Sequence, residues 1–85
     1  MRSVCRICGL ETNCDRHHVF GGSLRKKSEK YKDYCVITVC RACHNDIHAH
    51  PARYLELKRK TQQRAMHGLG WTIEDWHREF GKSYI

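Results

Sequence analysis

Residues Cys40–His48 read CRACHNDIH. The stretch holds a CxxC pair and, directly behind it, two histidines four residues apart. Side chains four apart sit one above the other on a helix face. His44 and His48 are therefore expected side by side on a helix that opens at the second cysteine pair. Upstream, CRIC supplies a matching pair at Cys5 and Cys8. Two CxxC knuckles are the sequence signature of a four-thiolate zinc site, so Cys5, Cys8, Cys40 and Cys43 are read as ligands of a structural Zn2+. Between Cys8 and Cys40 lie 31 residues, more than a plain zinc ribbon uses, so a substantial unit is inserted between the knuckles.

That insert contains DRHHVF, Asp15–Phe20. HHVF reads as a strand and YCVITVC, rich in β-branched residues, as the returning strand. GGSLRKKSEKYKDY between them reads as a basic loop with a helical turn. Neighbouring side chains in a strand point to opposite faces, so His17 and His18 are aimed at different things. Strand, returning strand and histidine-bearing helix make a ββα unit in which His17 can face His44 and His48. A divalent cation fits between these three, and His18 then stands near whatever the cation holds. A pure zinc ribbon has no use for four such histidines. His50 lies off the helix face, and His67 and His77 read as surface residues.

After His50 the chain reads as helical. Pro51 suits a first helical turn ahead of ARYLELKRKTQQRAMH, and Gly68 and Gly70 suit its end. Thr72, followed three residues later by Asp75, signals an N-cap for a short last helix with Ile73, Trp76 and Phe80 on its apolar side. Trp71 and Trp76 read as packing residues. No internal repeat or linker divides the chain, so residues 1–85 are expected to form a single domain, with 1–50 as zinc-knuckle and ββα core and 51–85 as a C-terminal helical extension.

Composition sets the class of partner. With 85 residues the domain can bury only a small core and is expected to need a staple. Six cysteines supply it, and the absence of a long apolar leader in MRSVCRICGL points to metal rather than disulfides and to the cytoplasm. Mean hydropathy is −0.74, which argues against a membrane partner. A net charge of +7 and a pI near 9.3 point to a polyanion, and nucleic acid is the commonest for a small basic domain. Arg25, Lys26, Lys27, Lys30 and Lys32 form one basic patch, read as the nucleic-acid-binding loop. Lys58, Arg59, Lys60 and Arg64 form another.

DRHHV followed by VITVCRACHNDIH, flanked by CxxC pairs, resembles the HNH endonuclease family, also known as the His-Me finger or ββα-metal nucleases. The resemblance covers roughly Cys5 to His48. HHVFGGSLRKKSEKY and FGKSYI are similar to small HNH proteins of bacteriophages and prophages. The resemblance implies an α+β fold, a small ββα-metal domain with zinc knuckles and C-terminal helices. It also implies His17, His44 and His48 as ligands of a catalytic divalent metal (Mg2+, Mn2+, Ni2+ or Zn2+), His18 as general base, and hydrolysis of DNA phosphodiester bonds by nicking or cleavage. Double-stranded DNA is the implied substrate, phage packaging or replication proteins the implied partners, and the bacterial host cytoplasm the implied location. The family carries an asparagine nine residues before the metal-binding histidine, where this chain has Cys35. In the family that side chain helps to aim the base, so Cys35→Asn is expected to raise the cleavage rate; the competing expectation is that Cys35 packs as a small apolar residue on the returning strand, where a buried asparagine would destabilise the domain. Two other readings stand beside the nuclease: a non-catalytic zinc module that binds nucleic acid, in effect a degenerate HNH domain, and a small adaptor for a protein partner.

Overall fold

The computed structural model describes residues 2–85. Its elements run β1 (Arg2–Val4), β2 (Glu11–His18), a 3-10 turn (Gly22–Leu24), α1 (Arg25–Lys30), α2 (Lys32–Cys35), β3 (Val36–Cys40), α3 (Arg41–Ala49), a second 3-10 turn (Pro51–Tyr54), α4 (Leu55–Leu69) and α5 (Ile73–Phe80). The result is a small α+β fold in which an antiparallel sheet of order β1-β2-β3 carries helices.

The register of β2 on β3 sets the site. Cys14 lies opposite Cys40, and His17 and His18 lie opposite Ile37 and Val36. Strand alternation then separates two sets. Asp15 and His17 face α3, where both meet His44, while Arg16 and His18 face α1, where both meet Glu29. The strand ends at His18 rather than running through Phe20, because Val19 and Phe20 turn inward and are almost wholly buried.

The expected basic loop is instead two short helices, α1 and α2. Leu24, Tyr31 and Tyr34 pack against the core, and fully buried Ser28 donates from its hydroxyl to the carbonyl of Phe20. Those contacts anchor the segment that the charges alone made look solvated. β1 also lay outside the expected elements. It pairs with β2 from Arg2 opposite Asn13 to Val4 opposite Glu11 and holds the first knuckle against the sheet.

α5 closes the core from below. Thr72 accepts from Asp75 N–H and Asp75 accepts from Thr72 N–H, a complete capping box. Trp76 is fully buried, stacks on Phe80 at 4.1 Å between ring centroids and meets Phe20 edge-on at 5.3 Å. Its indole N–H donates to the Lys82 carbonyl at 2.8 Å, so no polar atom is stranded. Ile73, expected on the apolar side, is exposed, because burial falls on Trp76 and Phe80 one and two turns further along. α4 ends at Gly70, which takes the left-handed conformation that glycine tolerates. Gly68 sits inside that helix, where a Cβ would come within 2.3 Å of the Tyr34 ring. Its smallness serves close packing of α4 on α2 rather than helix termination. No helix among the described residues is long and apolar enough to cross a membrane.

Candidate metal centres

Two clusters of side chains could hold a metal ion: one joins the β1–β2 connection to the junction of β3 and α3, the other lies between β2 and α3. The first brings together the sulfurs of Cys5, Cys8, Cys40 and Cys43, all within 4.8 Å of one another. Sγ of Cys8 and Sγ of Cys40 are 3.8 Å apart. Tetrahedral zinc with a Zn–S distance of about 2.3 Å sets its sulfurs roughly 3.8 Å apart, so the spacing suits that ion. Backbone N–H groups of Ile7 and Cys8 donate to Cys5 Sγ, and that of Cys43 donates to Cys40 Sγ. Burial alone raises the Cys5 thiol, but the N–H groups of Cys8, Cys40 and Ile7 outweigh it and hold the thiol down to about 6. Cys43 is pushed up by burial and by its sulfur neighbours. Four thiols this close cannot all ionise unaided, and a bound divalent cation removes the conflict. Cys40 is also the N-cap of α3, so a metal held there would fix the start of the histidine-bearing helix.

The second cluster is His17, His44 and His48, with one ring nitrogen from each within 4.8 Å of the others. Nε2 of His48 and Nε2 of His44 face each other at 3.1 Å. Two imidazoles bound to one cation at about 2.0–2.1 Å place their nitrogens roughly 3 Å apart. His44 Nδ1 lies 3.0 Å from Asp15 Oδ2. The His44 ring, followed by the Arg41 guanidinium 2.9 Å away, holds the Asp15 carboxyl below its usual range, so Asp15 is an ionised acceptor. It therefore takes a proton-bearing Nδ1 from His44 and leaves the Nε2 lone pair aimed at His48. This carboxylate behind a histidine is the outer contact that typically orients a metal ligand.

His17 completes the set from the strand. Only 5% exposed, it packs edge-on against His44 and His48 at centroid distances of 5.3 and 5.6 Å. Burial first, then the neighbouring histidines, depress its pKa to about 4, so the ring is neutral at pH 7 and has a lone pair to give. Its Nδ1 is buried without a hydrogen-bond partner. Buried polar atoms are rarely left so, and a cation shared by the three rings would give the His17 ring a partner. The donors present thus fit a divalent metal.

His18 stands beside this cluster on the opposite face of β2. Its Nε2 is 3.0 Å from Glu29 Oε2, and Arg16 grips both oxygens of the same carboxylate at 2.9 and 3.1 Å. Arg16 first, then His18, lower the Glu29 pKa, so Glu29 accepts and His18 Nε2 donates. In the neutral ring, a proton on Nε2 leaves the lone pair on Nδ1. His17, His18, His44 and His48 together with Arg16 and Arg25 line a cleft of about 320 Å³. Arg25, Lys26, Lys30 and Lys32 are exposed on α1 and α2, Arg25 alone of them lining the cleft, while Lys27 is tied to Glu79 at 3.0 Å.

The model of the family described as "Protein of unknown function (DUF968)" matches residues 1–73. The chain belongs to this family. No curated protein and no solved structure matches it. The DUF968 match spans both cysteine pairs, all four histidines of the two β2 faces and α3, and their outer contacts Asp15 and Glu29.

Cys35 proves to be a core residue of this DUF968 chain. It is completely buried, and burial pushes its thiol up to about 11. The hairpin at this point is held by backbone instead: Val19 N–H donates to the Cys35 carbonyl at 3.0 Å, and Cys35 N–H to the Tyr31 carbonyl at 2.9 Å. The side chain at 35 does not aim His18; Glu29 touches it. Cys35→Asn would bury an amide among apolar neighbours, which fits the packing expectation for this position and predicts a weaker fold. A loss of about 2 kcal/mol, roughly 10 °C in melting temperature, is expected with no gain in cleavage. Thermal melts monitored by circular dichroism check this; an unchanged melt together with faster cleavage would restore the asparagine argument.

Proposed function

We propose that this chain is a metal-dependent endonuclease of the HNH type that hydrolyses DNA phosphodiester bonds. The observation that carries the reading is the three-histidine cluster, with its Asp15 support, set one residue from a fourth histidine that keeps a free ring nitrogen. His17, His44 and His48 would hold the cation. A divalent ion bound there supplies Lewis-acid stabilisation of charge on the phosphate and the departing oxygen. His18 takes the proton of the attacking water on Nδ1 while Nε2–H stays on Glu29. Arg25 at the cleft, with Lys26, Lys30 and Lys32 outside it, holds the flanking phosphates. In this reading the four-cysteine site is structural zinc, the fold is the ββα-metal finger with its helical extension, and the protein works on DNA in a bacterial cytoplasm, as a phage or prophage function.

The test is nicking of supercoiled plasmid. The zinc-loaded native protein should nick only when a divalent metal such as Mg2+ or Mn2+ is supplied, and His44→Ala should need far more metal or fail. Cleavage that is indifferent to metal and to His44→Ala would end the assignment. Plasmid binding without any cleavage across metals would favour the non-catalytic zinc module.

A further inference from the structure

A second cavity adjoins the cleft. Of about 330 Å³, it shares His17, His18, His48, Gly21 and Gly22 with the cleft and continues between α3, the 51–54 turn and α4. Its outer walls differ in kind from the histidine side. Ile47, Leu57 and Pro51 give apolar surface, and Tyr54 and Tyr84 give rings. Lys58 is its cation, and the ammonium groups of Lys58 and Lys82 each lie 5.2 Å from the centroid of the Tyr84 ring. Nothing in the hydrolytic mechanism requires this space.

We propose that this cavity receives one unpaired nucleoside of the strand whose phosphate lies at the histidine cluster, so that the protein selects nucleic acid with an unpaired base at the cut. The inference rests on the nuclease reading for where the phosphate sits. Three physical arguments carry it. The volume lies at the lower end for small-molecule pockets, the size of a single nucleoside rather than of a longer segment. An apolar slot walled by aromatic rings suits the flat face of a base, which stacks on such rings whatever its identity. Gly21 and Gly22 are among the residues that cleft and cavity share, and an added Cβ would meet nothing within 4 Å at Gly22 and only the His18 carbonyl at 3.9 Å at Gly21, so a sugar-phosphate has room beside them. A paired base cannot enter without leaving its stack, whereas a bulged or frayed one can. Lys58 and Lys82 beside Tyr84 then meet the next phosphate along.

The test is a binding experiment on the full, zinc-loaded protein without added divalent metal, so that no cleavage is needed. Two labelled duplexes of one sequence are compared, one fully paired and one carrying a single bulged fluorescent purine. The native protein should bind the bulged duplex roughly fivefold to a hundredfold more tightly, with the purine's emission quenched. Leu57→Trp, which fills the cavity, and Tyr84→Ala, which removes a ring, should each bring that ratio close to one at native-like melting temperature. Equal binding of the two duplexes by the native protein, or a preference that survives in both folded variants, would overturn the proposal. If the ratio behaves as expected while no DNA is ever cut, the pocket stands and the nuclease reading falls.

Discussion

Removal of metal from the four-cysteine site should unfold the whole domain. The site ties the loop after β1 to the junction of β3 and α3, and each segment is held elsewhere by little. Beyond the sheet ladder, the first knuckle has short contacts such as Arg6 N–H to the Thr38 carbonyl at 2.9 Å. Among the described residues the core beneath is twelve buried apolar residues, two of them the knuckle cysteines Cys5 and Cys40. Structural zinc contributes on the order of 10 kcal/mol of coupled folding free energy, against roughly 5–15 kcal/mol of total stability for a typical domain. Without the ion, buried Cys5 and Cys40 and their sulfur neighbours become competing thiols. Cys40→Ser should behave like chelation and also weaken the N-cap of α3. The measurement is far-UV circular dichroism with a thermal scan, before and after complete chelation under reducing conditions. A native spectrum and a cooperative melt in the stripped protein would show that the hydrophobic core suffices alone. The histidine cluster should report the same event, since α3 carries Cys43 beside His44 and His48 one turn on: the stripped protein should also fail to take up the second metal.

Much of this architecture was legible because its signals are local. The paired CxxC spacing, the four-residue step from His44 to His48, the Thr72–Asp75 capping box and the strand alternation at His17 and His18 each depend on residues a few positions apart. What the sequence concealed is held by longer contacts. Glu29 reaches His18 across eleven positions, and in LRKKSEKYK it looked like one more charge on a basic loop. Leu24, Tyr31 and Tyr34, at successive spacings of seven and three residues, were the readable hint that the loop was helical with a buried side. Asp15 was also readable. It stands two before His17, hence on the same face of β2, and only the placement of α3 turned it into a support for His44. At position 35 the HNH resemblance pointed to a lost polar contact and the β-rich strand to a packed apolar residue, and the burial of Cys35 fits the second. A completely buried thiol behaves there as a small apolar side chain.

His18→Ala is expected to remove metal-dependent cleavage while leaving the rest of the protein in place. The side chain is partly exposed at the end of β2, and its ring meets the Glu29 carboxylate. Its loss therefore opens no core cavity and touches neither cysteine knuckle nor the Asp15–His44 pair. Positioned proton transfer is worth about a hundredfold to ten-thousandfold in rate, and the cleft offers no substitute placed like His18. Glu29→Gln provides the finer test. The amide can still meet His18 Nε2 but no longer presents a carboxylate to both His18 and Arg16, so the ring is held less firmly and Arg16 is released toward the cleft. The turnover rate should fall roughly tenfold, as for a misplaced catalytic group, with KM and the melting temperature near native. Glu29→Ala should fall further. Single-turnover cleavage, metal content and DNA affinity, measured on all three variants, separate the possible roles. If His18→Ala lowers affinity or zinc content in proportion to activity, His18 is part of the binding surface and not the base. If Glu29→Gln leaves turnover unchanged while lowering the melting temperature, the Arg16–Glu29–His18 contact is a brace for α1 on β2, and the ring is aimed by the strand alone.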